Sequence, residues 1–202
     1  MKTIVIIDYG LGNLRSVQKA FEHAGARVSI SNNVREIRNA DGLVLPGVGA
    51  FYDGMVQLQE IKYAIYDVVN DDKPLLGICL GMQMLLTESE EGGRNKGLGI
   101  IQGQAIRFPK SKFKVPHIGW NSLDFKDANS FLRNIDDHSY VYFVHSYYAK
   151  TSPEYTVATC TYGLEFAAII KNKKGNVIGT QYHPEKSGDV GLQMIQNFLL
   201  RC

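Results

Sequence analysis

Apolar residues in the first half of the chain occur in two patterns that follow one another in turn. Short continuous apolar runs have the length of buried strands, and they are residues 2–7, 27–30, 42–45 and 75–78. After each run, apolar residues recur every three or four positions, as on one face of a helix, over residues 14–24, 34–38 and 55–68, and again from Leu80. This repeated order of strand and helix predicts a parallel sheet flanked by helices, with right-handed crossovers.

The second half of the chain has a different pattern of apolar and polar residues. Short segments rich in β-branched and aromatic residues are separated by polar turns, which is typical of mixed or antiparallel strands. They are residues 100–108, 118–125, 140–149, 156–161, 166–171 and 177–182. A closing helix is predicted over about 189–200, with Leu192, Ile195 and Leu199 facing inward. We therefore predict an α/β fold with a mostly parallel central sheet flanked by helices and a mixed or antiparallel C-terminal half.

The length and composition agree with a single domain spanning residues 1–202 in a soluble, cytoplasmic protein. The chain is 45% hydrophobic and 21% charged, and its net charge of +2 includes no basic patch of the kind that binds nucleic acid. The basic run at 110–114 is expected to be a solvated loop. No segment approaches transmembrane length, and the apolar run at 4–7 is too short for a signal peptide. Three widely spaced cysteines favour a reducing compartment over a disulfide framework.

The pattern Gly77-Ile78-Cys79-Leu80-Gly81 marks the junction between the fourth strand and the helix after it. A G-x-C-x-G pattern at that junction is the cysteine form of the nucleophile elbow, in which two glycines let the backbone crowd where side chains would clash. Cys79 would then stand at the N-terminus of a helix, where free N–H groups favour a thiolate. The N–H of Leu80 could stabilise an oxyanion on a bound carbonyl. The alternative is a small buried cysteine in a glycine-lined strand.

A matching base occurs near the end of the chain, in the segment Tyr182-His183-Pro184-Glu185. On an extended chain, residues two apart point to the same side, so Glu185 could hold the tautomer of His183 while His183 faces Cys79. A histidine beside a proline is by itself more often part of a surface loop. Together, the two segments predict a Cys79–His183–Glu185 triad.

The two segments together resemble the class I, triad-type glutamine amidotransferases, and the resemblance covers essentially the whole chain. Within that family the chain looks like the glutaminase subunits of imidazole glycerol phosphate synthases of histidine biosynthesis, on residues 8–14, 46–51, 116–121 and 144–148. The resemblance implies that Cys79 attacks the side-chain amide of glutamine to form a γ-glutamyl thioester, which water hydrolyses to glutamate. It also implies that ammonia passes to a (βα)8-barrel cyclase partner in a heterodimer. The cyclase makes imidazole glycerol phosphate and an aminoimidazole carboxamide ribotide.

The loop at residues 46–49 follows the third strand and reads Pro-Gly-Val-Gly. Such a loop can turn N–H groups inward with no side chains in the way, although an ordinary turn has the same composition. In the family this loop supplies the second oxyanion donor. The resemblance therefore implies an oxyanion hole formed by Val48, Gly49 and Leu80.

Substrate-binding residues are expected on three further segments. Gln83 lies at i+4 from Cys79 on the same helix face and could hold the amino acid end of the substrate. Glu91 could pair with the substrate ammonium, and His145-Ser146-Tyr147 resembles the family's clamp for the substrate carboxylate. The alternatives are polar surface residues for Gln83 and Glu91 and a core strand for the histidine segment.

Trp120, Lys186 and Asn13 are the candidates for contact with the partner subunit. Trp120 is the only tryptophan and could equally be a core residue, while Lys186 could simply be solvated. No Cys, His or carboxylate grouping has metal-ligand spacing, so no metal is predicted. The glycines at 10 and 12 lack the third glycine of a dinucleotide loop, and no cofactor is predicted.

Two alternatives to this function stay open at the level of the sequence. A glutaminase that serves a different ammonia acceptor, such as a modified homologue of the cyclase, would carry the same local motifs. A regulatory subunit could keep the fold without catalysis, although the intact triad residues argue against it.

Overall fold

The computed structural model describes residues 1–109 and 113–202, so part of the basic run at 110–114 lies outside the described residues. The first half of the chain follows the predicted order of elements. Its strands are β1 (Thr3–Ile7), β2 (Arg27–Ser31), β3 (Gly42–Leu45) and β4 (Leu75–Ile78). Its helices are α1 (Leu14–His23), α2 (Val34–Asn39), α3 (Phe51–Gln57), α4 (Lys62–Asn70) and α5 (Leu80–Met84).

The single long helix predicted across residues 55–68 is wrong, because α3 ends at Gln57 and α4 begins at Lys62. Leu58 and Ile61, which lie in the turn between the two helices, are buried like the apolar residues on either side. The helical spacing of apolar residues therefore continues through the turn, so the sequence pattern gives no sign that the helix is interrupted.

The second half contains more strands than the sequence predicts, and most of them are shorter than the predicted ones. They are β5 (Leu86–Ser89), β6 (Asn95–Lys96), β7 (Ile101–Arg107), β8 (His117–Ser122), β9 (Asp124–Phe125), β10 (Tyr140–His145), β11 (Tyr147–Lys150), β12 (Thr156–Tyr162), β13 (Leu164–Lys171) and β14 (Val177–Thr180). The chain ends with α6 (Gly188–Leu199). β5 and β6 were not predicted. β6 consists of only two residues, both polar, and so has no strand pattern. The strand predicted over residues 140–149 breaks at Ser146 into two strands that belong to different sheets.

The helix α6 presents a slightly different face to the core from the one that the sequence predicts. Met194, Ile195 and Phe198 are fully buried, whereas Leu192 and Leu199 are only half-buried. Ile195 was predicted correctly, and the inward stripe is centred about one position away from the predicted leucines.

The main sheet confirms the predicted α/β fold. Within the described residues its strands lie in the order β2-β1-β3-β4-β14-β13-β11-β7-β5-β6, with β12 beside β13 and β9 beside β12. β1, β2, β3, β4 and β14 are parallel, and β13 begins an antiparallel region next to β14. β8 and β10 form a separate antiparallel pair.

Both faces of the parallel region are covered by helices, which explains its continuous apolar strands. In β1, Val5 and Ile7 pack with residues of α3 and α4 on one face of the sheet. Ile4 and Ile6 pack with residues of α1 and α6 on the other.

The carboxyl ends of β1, β3, β4 and β14 all lie at one edge of the sheet. The chain leaves these strands at Asp8, Pro46, Cys79 and Gln181, four positions that are far apart in the sequence. β14 lies directly beside β4, and the N–H of Cys79 donates to the carbonyl oxygen of Thr180 at 2.7 Å. The sheet therefore assembles the predicted site at the edge where open α/β sheets bind ligands.

The two glycines of the elbow are required for close packing of the backbone. A Cβ on Gly81 would lie 1.8 Å from the carbonyl oxygen of Leu45, and a Cβ on Gly77 would lie 2.9 Å from the amide nitrogen of Met82. Gly81 has an ordinary helical backbone within α5, so space and not backbone conformation excludes a side chain there.

We expect Gly81→Ala to lower the free energy of unfolding by about 3 kcal/mol, because the added methyl group must push the elbow away from β3. Urea denaturation would measure the change. Gly25→Ala is the matched control, since Gly25 has a φ of +95° and open space around it. This control should cost only about 1 kcal/mol of backbone strain. Equal effects of the two substitutions would contradict the close packing described for Gly81.

Candidate active site

Cys79 has the strained backbone of a nucleophile elbow. Its φ of +53° and ψ of −107° are unusual for a residue with a side chain, and they occur at the turn between β4 and α5. The residue is 7% exposed and lines a cleft. α5 is only five residues long, so its dipole is a smaller influence on Cys79 than the sequence pattern suggests.

Two groups contact the sulfur of Cys79 from opposite segments of the chain. The carbonyl oxygen of Val144 lies 3.8 Å from Sγ and can accept from the thiol. The side-chain amide of Gln181 donates from Nε2 to Sγ at 3.7 Å, and its Oε1 accepts from the Nε2 of Gln83 at 3.1 Å. Because Gln83 holds the carbonyl end of this amide, its N–H end is directed at the sulfur, where it can stabilise a thiolate.

No pattern in the sequence predicts the contact of Gln181 with the sulfur of Cys79. Gln181 is fully buried, and it lies between the end of β14 and His183. Only its place two residues before the triad histidine could have signalled a role, since a buried amide has no periodic pattern.

His183 and Glu185 form the predicted pair, but by a different local structure. The Nδ1 of His183 lies 2.8 Å from the Oε1 of Glu185, and their side chains are 2% and 1% exposed. The extended chain expected between them is wrong, because Pro184–Lys186 is a turn of 3-10 helix. Proline favours the start of such a turn, and the turn brings Glu185 back beneath the imidazole ring.

The opposite nitrogen of the ring is left for the nucleophile. His183 Nε2 is buried and has no hydrogen-bond partner among residues 1–109 and 113–202. Burial tends to lower the pKa of His183, but its interactions with Cys79 and Glu185 outweigh burial and raise the pKa to about 9. A raised pKa suits a histidine that gives a proton to a leaving amine.

The cleft beside Cys79 has a volume of about 290 Å³. All the residues predicted for the oxyanion hole and for substrate binding line this cleft, together with two others. They are Val48, Gly49 and Leu80, then Gln83, Glu91, His145, Ser146 and Tyr147, and finally Pro116 and Val144. A larger cleft of about 520 Å³ lies over β11, β12 and β13. It contains none of the predicted site residues, and its Lys126 and Glu165 side chains neutralise each other at 3.1 Å. The residues predicted for the oxyanion hole and for substrate binding therefore share the smaller cleft with Cys79.

The hydrogen bonds of Gln83 and Glu91 limit what each can offer a ligand. Gln83 Nε2 donates to the carbonyl oxygen of Tyr147 at 3.0 Å as well as to Gln181, so only its Oε1 is left to face the cleft. One carboxylate oxygen of Glu91 accepts from the N–H of Phe51 at 2.8 Å, at the start of α3. The remaining oxygens of both side chains are acceptors, which suit an ammonium group better than a carboxylate.

The predicted oxyanion loop packs directly against the elbow. The carbonyl oxygen of Gly47 accepts from the N–H of Leu80 at 3.4 Å, a long and weak hydrogen bond. Gly49, with a φ of +113°, turns the end of the loop into the cleft. The hydroxyl of Tyr9 donates to the carbonyl oxygen of Pro46 at 2.5 Å. Burial and the nearby Cys79 raise the pKa of Tyr9 well above its usual value, so this hydroxyl stays a donor. No pattern in the sequence signals this role.

The three candidate interface residues are at the surface near the site. Trp120 is 55% exposed on β8, so the interpretation of Trp120 as a core residue is wrong. Lys186 is exposed directly after the triad glutamate. Asn13 is half-buried where the chain leaves β1, and its side chain makes no cap to α1.

Neither a metal site nor a membrane span is found in the described part of the chain. No group of three or more His, Cys, Asp or Glu side chains there could hold a metal ion. No helix there has both the length and the apolar character needed to cross a membrane.

Comparison with known proteins identifies the family. The model of the family "Glutamine amidotransferase class-I" matches residues 5–202. The chain belongs to this family. The amidotransferase is 56% identical to the imidazole glycerol phosphate synthase subunit HisH of Methanosarcina acetivorans over 202 residues, which is the whole of both chains. It is 48% identical to the subunit of the same name from a Geobacillus species, covering 96% of this chain and 95% of that one.

Solved structures agree on the fold. The amidotransferase superposes on a chain of PurLQS from Thermotoga maritima with a TM-score of 0.80 and 20% identity, covering 99% of each chain. The glutaminase domain of CTPS from Trypanosoma brucei, solved with bound acivicin, gives a TM-score of 0.72 at 16% identity, covering 100% of this chain and 93% of that one. At such identities the likeness concerns the fold alone.

We expect the Glu185→Gln variant to lower the pKa of His183 from about 9, because the variant removes a negative charge 2.8 Å from the ring. The fall should be about one to three pH units, the range for loss of an adjacent opposite charge. Histidine titration by NMR would follow His183 directly. Glu154→Gln removes one charge from an exposed site and is the control, which should leave the His183 titration unchanged. An unchanged curve in Glu185→Gln would contradict the pairing.

Proposed function

We propose that the chain is the glutaminase subunit of an imidazole glycerol phosphate synthase and works as one domain over residues 1–202. It hydrolyses glutamine to glutamate and supplies ammonia to a separate acceptor subunit. The observation that carries the proposal is the strained Cys79 in a cleft with the buried His183–Glu185 pair behind it. The full-length similarity to subunits named HisH supports the choice of synthase.

In the first half of the reaction, Cys79 Sγ attacks the side-chain carbonyl carbon of glutamine. Negative charge develops on the amide oxygen, and we assign its stabilisation to the loop at Val48 and Gly49 and to the N–H of Leu80, which must first leave its weak hydrogen bond to Gly47. The tetrahedral intermediate collapses when His183 gives its proton to the amide nitrogen, and ammonia leaves. The products of this half are a γ-glutamyl thioester on Cys79 and neutral His183.

In the second half, His183 takes a proton from water, and the resulting hydroxide attacks the thioester carbonyl. The C–S bond breaks, glutamate leaves, and the thiolate–imidazolium pair is restored. Glu185 keeps its charge throughout and holds Nδ1 of His183, so that Nε2 is the only ring atom that exchanges protons with the cleft.

Acceptor groups line the end of the cleft where the substrate's amino group would lie. We assign the free oxygen of Glu91 and the Oε1 of Gln83 to the substrate ammonium, on the basis of their remaining hydrogen-bonding capacity. Ser146 and Tyr147 are assigned to the substrate carboxylate. Glutamine should therefore be bound by both of its charged groups, with its side-chain amide at Cys79.

A partner surface is proposed on the outer face of the β8–β10 pair. We call it the outer-face patch, and it consists of Ile118, Trp120, Tyr140 and Tyr142. The first three are 59%, 55% and 60% exposed, and the ring of Tyr142 packs edge-on to Trp120 at 6.0 Å. Val144 lies two residues after Tyr142 on β10, and its carbonyl oxygen is 3.8 Å from the sulfur of Cys79. A partner seated on the patch would adjoin the cleft where ammonia is released, and we propose a (βα)8-barrel cyclase as that partner. Lys186 and Asn13 would extend the contact.

We also propose that the enzyme works in the cytoplasm. Cys79, Cys160 and Cys202 are all free thiols, and a reducing compartment keeps a nucleophilic cysteine active. Recovery of the native protein from a membrane or secreted fraction would contradict this.

We expect Cys79→Ala, assayed in the complex with the barrel subunit, to lose glutamine-dependent synthesis by about 10⁵-fold or more. Synthesis from ammonium salts should continue, because the acceptor chemistry does not need this thiol. Cys202→Ala removes a thiol away from the cleft and is the control, which should keep both activities. Substantial glutamine turnover by Cys79→Ala would exclude the assigned nucleophile. Ammonium-driven synthesis of a different product would indicate another acceptor.

We expect Trp120→Ala to weaken association with the barrel subunit by about 2 kcal/mol, as for a central aromatic residue of an interface. Isothermal titration calorimetry would measure the affinity. The control is Leu200→Ala, which removes an exposed apolar side chain just past the far end of α6 and should bind normally. Normal binding by Trp120→Ala would place the partner elsewhere.

A further inference from the structure

His117 and His145 form a buried pair beside the cleft that the triad and the oxyanion hole do not use. They face each other across the β8–β10 pair, at the start of β8 and the end of β10. The Nδ1 of His117 lies 3.0 Å from the Nε2 of His145. The two residues are 2% and 5% exposed, and His145 lines the cleft together with Cys79.

The hydrogen-bond partners of the two rings allow only one tautomer of each neutral imidazole. His145 Nδ1 lies 2.8 Å from the carbonyl oxygen of Tyr147, which can only accept, so His145 carries its proton on Nδ1. Its Nε2 is then an acceptor and receives a hydrogen from Nδ1 of His117. The Nε2 of His117 is in turn an acceptor, and the side-chain nitrogen of Asn121 lies 3.4 Å from it. The hydrogen bonds therefore run in one direction, from Asn121 to Tyr147.

Both rings are neutral near pH 7, as this arrangement requires. Burial lowers the pKa of His117 to about 4. Burial also lowers the pKa of His145 to about 3, opposed by the hydrogen bond to Tyr147 and assisted by the proximity of His117 and His183. The ring of His117 is stacked between those of Tyr162 and Phe143, at centroid distances of 4.0 and 4.8 Å. This stacking fixes the direction of its N–H.

The hydrogen bond from His145 to Tyr147 closes the bend at Ser146. The chain ends β10 at His145, turns at Ser146 and enters β11 at Tyr147, so this bond joins the two sides of the turn. The same carbonyl oxygen accepts from Gln83 Nε2, which links the bend to α5 and to the amide that reaches the Cys79 sulfur. A change of tautomer at His145 would therefore be felt at the substrate site.

We propose that His117 is a positioning residue for the glutamine site, because its Nδ1–H donates to Nε2 of His145 and so stabilises the tautomer in which His145 Nδ1 donates to Tyr147. Without the donor on His117, His145 can carry its proton on Nε2. The lone pair of Nδ1 then faces the lone pairs of the Tyr147 carbonyl oxygen, and their repulsion opens the bend. The ligand named here rests on the proposed function, whereas the tautomer assignment rests on the geometry alone.

Kinetics of three variants in the complex with the barrel subunit test the proposal. His117→Phe keeps a ring between Tyr162 and Phe143 but has no donor, and we expect it to raise the KM for glutamine about tenfold with a much smaller change in kcat. His117→Asn can place an amide N–H close to the former Nδ1, and it should bring the KM most of the way back. His138→Phe makes the same exchange at an exposed site and should have no effect. A normal KM in His117→Phe, or equal defects in His117→Phe and His117→Asn, would overturn the proposal.

NMR of the ring nitrogens tests the tautomers in the unmodified protein, whether or not a variant folds. We expect both His117 and His145 to carry their protons on Nδ1. A proton on Nε2 of His145 would overturn the proposal. Titration calorimetry can measure glutamine binding without turnover, in the Cys79→Ser variant and in the double variant that also carries His117→Phe. We expect the double variant to bind glutamine more weakly. If neither protein bound glutamine, the proposed function would fail, while the nitrogen spectrum would still decide the tautomers.

Discussion

The parallel pairing of β14 with β4 is the interaction on which the site depends. Cys79 follows β4 and the His183–Glu185 pair follows β14, although about a hundred residues separate the two segments in the chain. The N–H of Cys79 donates to the carbonyl oxygen of Thr180 at 2.7 Å, so the last rung of this ladder is part of the elbow itself. A shift of one residue in the pairing would turn every side chain of β14 to the opposite face and separate His183 from Cys79.

The strain at Cys79 is maintained by crowding around it. Its φ of +53° would relax if the backbone could move, but Gly81 lies against Leu45 of β3, and Gly47 lies against Leu80. β3 and β4 are central strands with helices on both faces, so a relaxation of the elbow would disrupt the buried core. The rigid part of the protein thus holds Cys79, whereas another side of the cleft is formed by the bend at Ser146 between β10 and β11.

The sequence predicts those parts of the fold and of the candidate site that leave a repeated pattern or an unusual motif. It does not predict the parts that depend on a single residue or a single contact. Continuous apolar runs and helical spacing identified β1 to β4 and most helices, because burial acts on every residue of such an element. The glycines around Cys79 and the histidine–proline–glutamate segment marked two places of unusual backbone, and the structure has unusual backbone at both. The break at Ser146, the turn between α3 and α4, and the 3-10 turn at Pro184–Lys186 depend on single tertiary contacts and leave no period. Gln181, Tyr9 and His117 were missed for a related reason: a buried polar side chain becomes meaningful only when its partner is known.

The side chains that reach the sulfur of Cys79, and those that hold them, are neutral amides and imidazoles, and this arrangement has an electrostatic consequence. Gln181, Gln83 and the two neutral imidazoles supply donors with fixed directions, but none adds a net charge near Cys79. A further buried cation would attract the thiolate more strongly and make it a poorer nucleophile, whereas a further anion would disfavour its formation. Oriented dipoles can stabilise the developing charge with little reorganisation, because their positions are already fixed by one another. The polar network around Cys79 therefore acts through the fixed direction of its dipoles and not through added charge.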